Sequence, residues 1–123
     1  MILIKALQKG FKNYANFNGR AAPSEYWWFS LAMTILYILP FLLVKAAPAV
    51  TLILLLLILL VSIIPSLAIV VRRLHDSNRS GAWYFVSFVP FIGGLWLLVL
   101  LLQKGTPSGN NFGDQPLPLR AQI

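Results

Sequence analysis

The chain has 123 residues, 59% of them hydrophobic and only 11% charged, with a formal net charge of +7. A soluble domain carries roughly 25% charged residues, and one this small could not hide so much apolar side chain, so lipid must cover part of it. The basic residues flank apolar runs and do not line one soluble face, which argues against nucleic acid as a partner and fits membrane flanks that attract anionic lipid. The chain has no Cys, so disulfide and thiolate chemistry are excluded.

Residues 1–17 form a short basic segment. Leu3, Leu7, Phe11 and Tyr14 recur at helical spacing, with Lys5, Lys9 and Lys12 between them. This predicts an interfacial amphipathic helix, apolar side down, that Gly10 weakens. Asn18 to Glu25 reads as a loop and a helix start, where Ser24 suits the cap and Glu25 the first turn. Tyr26, Trp27 and Trp28 suit an aromatic belt at the membrane interface. The first long apolar run begins near Tyr26 and is too long for the core of a secretion signal, so no cleavage is expected.

The first membrane segment covers 26–44, with Pro40 as a kink. Ala46, Ala47 and Pro48 form a short link, so the first two segments make an antiparallel hairpin. The second segment, 49–71, is uncharged and long enough to span a bilayer. Pro65 should bend it near Ile64. Ser62 and Ser66 share a face, either to permit close helix packing or to bond back to their own helix.

His75 to Gly81 reads as a polar turn. The third apolar run, 82–102, is interrupted by Pro90, Gly93 and Gly94. A kinked full span is the primary expectation and a re-entrant hairpin the alternative, because broken backbone at membrane depth needs cover from protein or a wet cavity. Residues 103–123 read as a polar tail. The fold class is therefore an all-α membrane protein, a single integral domain with an interfacial helix and three membrane segments.

Lys5, Lys9, Lys12 and Arg20 precede the first segment, and Arg72, Arg73 and Arg79 follow the second. Only Lys45 lies in the link between them. The positive-inside rule places the N-terminus and the 72–81 loop in the cytoplasm.

Three polar stretches sit at the edges of these segments. They are Phe17-Asn18-Gly19-Arg20-Ala21-Ala22-Pro23-Ser24-Glu25-Tyr26-Trp27-Trp28, then Arg72-Arg73-Leu74-His75-Asp76-Ser77-Asn78-Arg79-Ser80-Gly81, then Gly105-Thr106-Pro107 through Asn110, Phe112, Gly113 and Pro116. In order and spacing the chain resembles a family of small bacterial inner-membrane proteins, domain of unknown function 805. The family pattern has Ser and Arg where this chain has Ala22 and Pro23, and Gly and Trp where it has Asn78 and Ala82. The resemblance implies an integral protein of the bacterial inner membrane and implies no activity.

The densest polar group is Arg72, Arg73, His75, Asp76 and Arg79. Arg suits bidentate phosphate binding, so Arg20, Arg72, Arg73 and Arg79 form a candidate edge for anions or lipid headgroups. The plainer reading is that these residues snorkel and cap the helix. Arg72 and Asp76, four apart, can pair on a continued helix. Glu25 is expected to contact Arg72, Arg73 or Arg79. Glu25, His75, Asp76 and Asn110 form a candidate structural polar network.

His75 and Asp76, as helical neighbours, do not face each other, and no partnered nucleophile can be assigned. One His and no Cys leave too few ligands for a metal, and no P-loop spacing or other cofactor motif is present. The leading expectation is a non-enzymatic accessory or structural protein. It binds anionic lipid headgroups or a membrane partner, a second copy included, at the cytoplasmic edge. A small-solute transporter component and a lipid-modifying enzyme are the competing classes. Transport is disfavoured because the spans carry no ionisable residue.

Overall fold

The computed structural model describes residues 1–122. Five helices follow in order: α1 (Ile2–Lys12), α2 (Pro23–Ile38), α3 (Pro48–Asp76), α4 (Gly93–Leu102) and the single turn α5 (Leu119–Gln122). Two 3₁₀ stretches, Leu39–Leu43 and Gly81–Phe88, complete the secondary structure. Pro23–Leu43 and Pro48–Asp76 are each long and apolar enough to cross a membrane.

Proline sets the ends of these elements. Pro23 and Pro48 occupy first-turn positions, where the missing N–H costs nothing. Pro40 interrupts α2, because its ring clashes with the preceding turn and it cannot donate a helical bond. The chain tightens there into the Leu39–Leu43 stretch, and the carbonyl of Pro40 accepts from Thr51 Oγ1 at 3.1 Å. That bond pins the first helical hairpin at the end away from the polar motifs. α3 runs unbroken through Pro65 and on through the charged motif to Asp76.

α2 and α3 pack through Phe29, Met33 and Ile69, with Leu7 and Phe11 of α1 laid against them. Ser62 serves both of its expected roles. Its hydroxyl meets Tyr37 Oη at 2.9 Å across the helices and bonds back to Leu59 O.

α1 forms where the spacing predicts it, but its packing differs. Leu7 and Phe11 face protein, and Tyr14 lies beyond the helix and is exposed. Gly10 is buried against Phe29, and a Cβ there would stand 2.3 Å from the ring edge. The glycine that argues against a helix is what lets α1 approach α2.

The third apolar run takes the folded-back form, the alternative of the two expected from the sequence. It forms a hairpin in which the Gly81–Phe88 stretch leads to a turn and α4 returns. Val89 is held extended by the proline that follows it, and Phe91 sits at φ 69° at the tip. Both ends of the run lie beside the C-terminal end of α3. Gly81 abuts Val71, and Gln103 meets Arg73 and Arg79. Leu74 of α3 packs with Leu100 and Leu101, while Tyr84, Val86 and Leu97 close the cluster.

Candidate functional site

The C-terminal end of α3 gathers all three polar stretches into one cluster. A helix end leaves four carbonyls without intrahelical partners. Here distant segments meet several carbonyls of the last turns, and the residues just past the helix meet others. Ala21 N donates to Arg72 O at 2.9 Å, and Thr106 N donates to Asp76 O at 2.7 Å. Asn110 Nδ2 donates to His75 O at 3.0 Å and to Asp76 O at 3.3 Å. Arg79 N returns to Leu74 O at 3.0 Å.

Arg20 is the centre of this cluster. Its Nε donates to Asp76 Oδ1 at 2.9 Å, and its Nη1 to the carbonyls of Ser108 (2.7 Å) and Gly113 (3.1 Å). Its Nη2 donates to the carbonyls of Asp76 (3.2 Å) and Thr106 (2.6 Å). A guanidinium has five N–H donors, and all five are used. The partial negative charge of the α3 end also favours a cation here. Arg20 thus ties the loop before α2, the end of α3 and the tail into one unit.

Two carboxylates hold four cations. Asp76 bridges Arg20 and Arg73, with Arg73 Nη1 at 2.9 Å from Oδ2. Glu25 bridges Lys9 Nζ at 3.0 Å and Arg72 Nη1 at 2.7 Å. Arg20, Glu25, Arg72, Arg73, His75 and Asp76 are all buried. Buried charge is tolerated only when paired and hydrogen-bonded, and the two bridges meet that demand in part. Arg72 Nε and Nη2, Arg73 Nε and Arg79 Nε are buried without a protein acceptor.

Several expectations meet this geometry directly. Glu25 does contact Arg72. The pair between Arg72 and Asp76 does not form, because Asp76 is taken by Arg73 at i−3 and by Arg20, while Arg72 turns to Glu25. Ser24 does not cap α2. The cap position is Ala22, and Ser24 Oγ instead accepts from Leu119 N at 2.8 Å. His75 and Asp76 belong to α3 and not to a turn. Lys9 as the second partner of Glu25 escaped the sequence reading, for no spacing rule links α1 to α2 across that loop.

His75 faces away from Asp76 chemistry. Its Nδ1 lies 2.9 Å from Gly19 O, and its ring stacks on Phe112 with centroids 4.0 Å apart and an interplanar angle of 4°. Facing a carbonyl, Nδ1 carries the proton. Asn110 lies in the same network, its Oδ1 accepting from Phe112 N at 2.8 Å. The tail is therefore an ordered cap. Gly105 sits so close to Asp76 that a Cβ would fall 2.0 Å from Oδ2.

Arg79 stands apart from the two bridges. Among the described residues it meets no carboxylate, and its Nη2 donates to Gln103 Oε1 at 3.1 Å. Its guanidinium carbon lies 5.5 Å from the centre of the Trp83 ring. Of the four candidate arginines, Arg20 is saturated by protein. Arg72, Arg73 and Arg79 keep unmatched N–H groups at this edge.

The family model described as "Protein of unknown function (DUF805)" matches residues 14–114. The chain is 43% identical over 109 residues to the inner membrane protein YhaI of Escherichia coli K12, covering 85% of this chain and 89% of that protein. It is 39% identical over 114 residues to the inner membrane protein YhaH of the same strain, covering 88% and 93%. No solved structure matches. The matched residues include all three stretches through Asp114, so the polar cluster apart from Lys9 lies within the region that defines the group, and this inner-membrane protein belongs to the DUF805 family.

Proposed function

We propose that the protein is a non-enzymatic accessory protein of the inner membrane that presents a rigid cationic edge to anionic lipid headgroups on the cytoplasmic side. The observation that carries this reading is an excess of positive charge. The buried cluster sets four cations against two carboxylates, and three arginines retain N–H groups with no protein acceptor. An excess of positive charge favours an anion nearby, and a lipid phosphate is the anion that a membrane edge offers.

The third segment is a re-entrant hairpin on this reading, so two helices cross and both polar termini share one side. The positive-inside rule then makes that side cytoplasmic, with only Lys45 at the opposite end. The cluster's polar groups are spent on architecture. Arg20, Asp76 and Glu25 are bridged and His75 Nδ1 is engaged, which favours binding over acid–base chemistry.

The test is thermal unfolding of detergent-purified protein with added phosphatidylglycerol or phosphatidylcholine. A ligand that binds only the folded state raises stability by about 2.7 kcal/mol at a hundred times its Kd. Phosphatidylglycerol should raise the midpoint, phosphatidylcholine should not, and salt should weaken the effect. Equal midpoints in the two lipids contradict the reading.

A further inference from the structure

The re-entrant hairpin carries a groove of about 550 Å³ whose two ends differ in chemistry. Arg79 and Gln103 form one end, and Trp83, Leu95, Trp96 and Val99 line the rest. Its volume falls within the roughly 300–1,000 Å³ usual for small-molecule sites. The apolar walls are open, since Leu95, Trp96 and Val99 are each more than half exposed. The polar end lies at the C-terminal end of α3, at the level of the charged cluster, because Gln103 also accepts from Arg73 through its carbonyl.

We infer that this groove is a binding site for one anionic phospholipid, with its phosphate at Arg79 and an acyl chain along Trp83, Leu95, Trp96 and Val99. The inference deepens the edge reading above and rests on it, adding a specific lipid-binding groove.

Charge complementarity selects the occupant. Arg79 faces no carboxylate among the described residues, and its buried Nε has no protein acceptor. Its one side-chain partner, Gln103 Oε1, is neutral and exposed, so a phosphate can displace it. Trp83 stacks under the guanidinium and holds it at the groove mouth. Trp96 and Val99 then continue as an apolar wall at the depth of the acyl chains. An amphipathic gradient with a cation at the headgroup level matches a phospholipid. A peptide would find few backbone hydrogen-bonding groups along such a wall.

The site can be read through its own tryptophans. Trp27→Phe and Trp28→Phe leave Trp83 and Trp96 as the only indoles. That protein is reconstituted in phosphatidylcholine bilayers containing a small fraction of brominated-chain phosphatidylglycerol or brominated-chain phosphatidylcholine. Bromine quenches the indole it touches. One cation near the surface gives roughly a fivefold preference for the anionic lipid. The expected result is quenching by phosphatidylglycerol with about a fivefold tighter apparent affinity than by phosphatidylcholine, falling to parity in Arg79→Gln. Equal quenching by both headgroups overturns the inference before any further variant is made. A preference that survives Arg79→Gln also overturns it. In either case a midpoint still raised by phosphatidylglycerol leaves the edge reading standing, whereas loss of that effect removes both.

Discussion

Arg20 makes five side-chain hydrogen bonds, more than any other side chain among the described residues. All five of its donors end on protein acceptors drawn from α3 and from residues 106, 108 and 113. Removing it leaves Asp76 with one cation and strands four carbonyl contacts. Breaking a buried ion pair by deleting one partner typically costs about 3–5 kcal/mol. Arg20→Ala should therefore destabilise by about that amount in thermal or denaturant unfolding, and proteolysis within 105–116 should accelerate. Unchanged cleavage would mean that the tail is held elsewhere. Gly105 makes a second prediction at this scale. A methyl there meets Asp76 Oδ2 at 2.0 Å, so Gly105→Ala must displace the carboxylate that both Arg20 and Arg73 hold. Overpacking of this kind costs about 1–3 kcal/mol, and an unfolding midpoint equal to that of the parent would refute the close approach.

The residues themselves were largely legible, but their pairing was only partly so. Glu25 with Arg72 followed from two charges at one membrane edge. Arg72 with Asp76 followed from helical spacing and failed, because spacing sees only one helix and Asp76 had better partners at Arg73 and, across the fold, at Arg20. Long-range contacts of a loop arginine with tail carbonyls leave no periodic trace in a sequence.

Among the elements, α1 shows how a local preference yields to packing. Glycine in a helix costs about 1 kcal/mol against alanine, so Gly10→Ala should stabilise α1 if propensity ruled. The Phe29 ring stands 2.3 Å from the added Cβ, and the substitution should destabilise instead. A double-mutant cycle with Phe29→Ala checks the cause. The cost of Gly10→Ala should vanish in the Phe29→Ala background, and an additive result would place the strain elsewhere. The third apolar run teaches a different lesson. Its composition and length fit a span, and its Pro90, Gly93 and Gly94 fit a break. Periodicity alone did not decide between them. The contacts of Gly81 with Val71 and of Gln103 with Arg73 decide for a hairpin, since both ends then lie at one end of α3.

For the whole molecule, the polar cluster converts three separated stretches into one face. Two long apolar helices, α2 and α3, pinned by Thr51 and Pro40 at one end and by the Glu25 and Asp76 bridges at the other, form a frame on which the hairpin leans. The frame was legible in outline, as apolar runs and charged borders. The gathering of the borders onto one side was not, because it depends on which way the third run turns. The proposed cationic edge and the lipid groove both need that shared side.

The most direct measurement uses the natural absence of Cys. Single cysteines at Asp114 and at Ala46, both exposed positions, can be labelled in intact cells and in inverted membrane vesicles with a membrane-impermeant maleimide. The account predicts that position 114 reacts only in inverted vesicles and position 46 only in intact cells. Labelling of position 114 from the periplasm would put the tail across the membrane from Arg20 and Asp76, and would contradict the shared cytoplasmic edge.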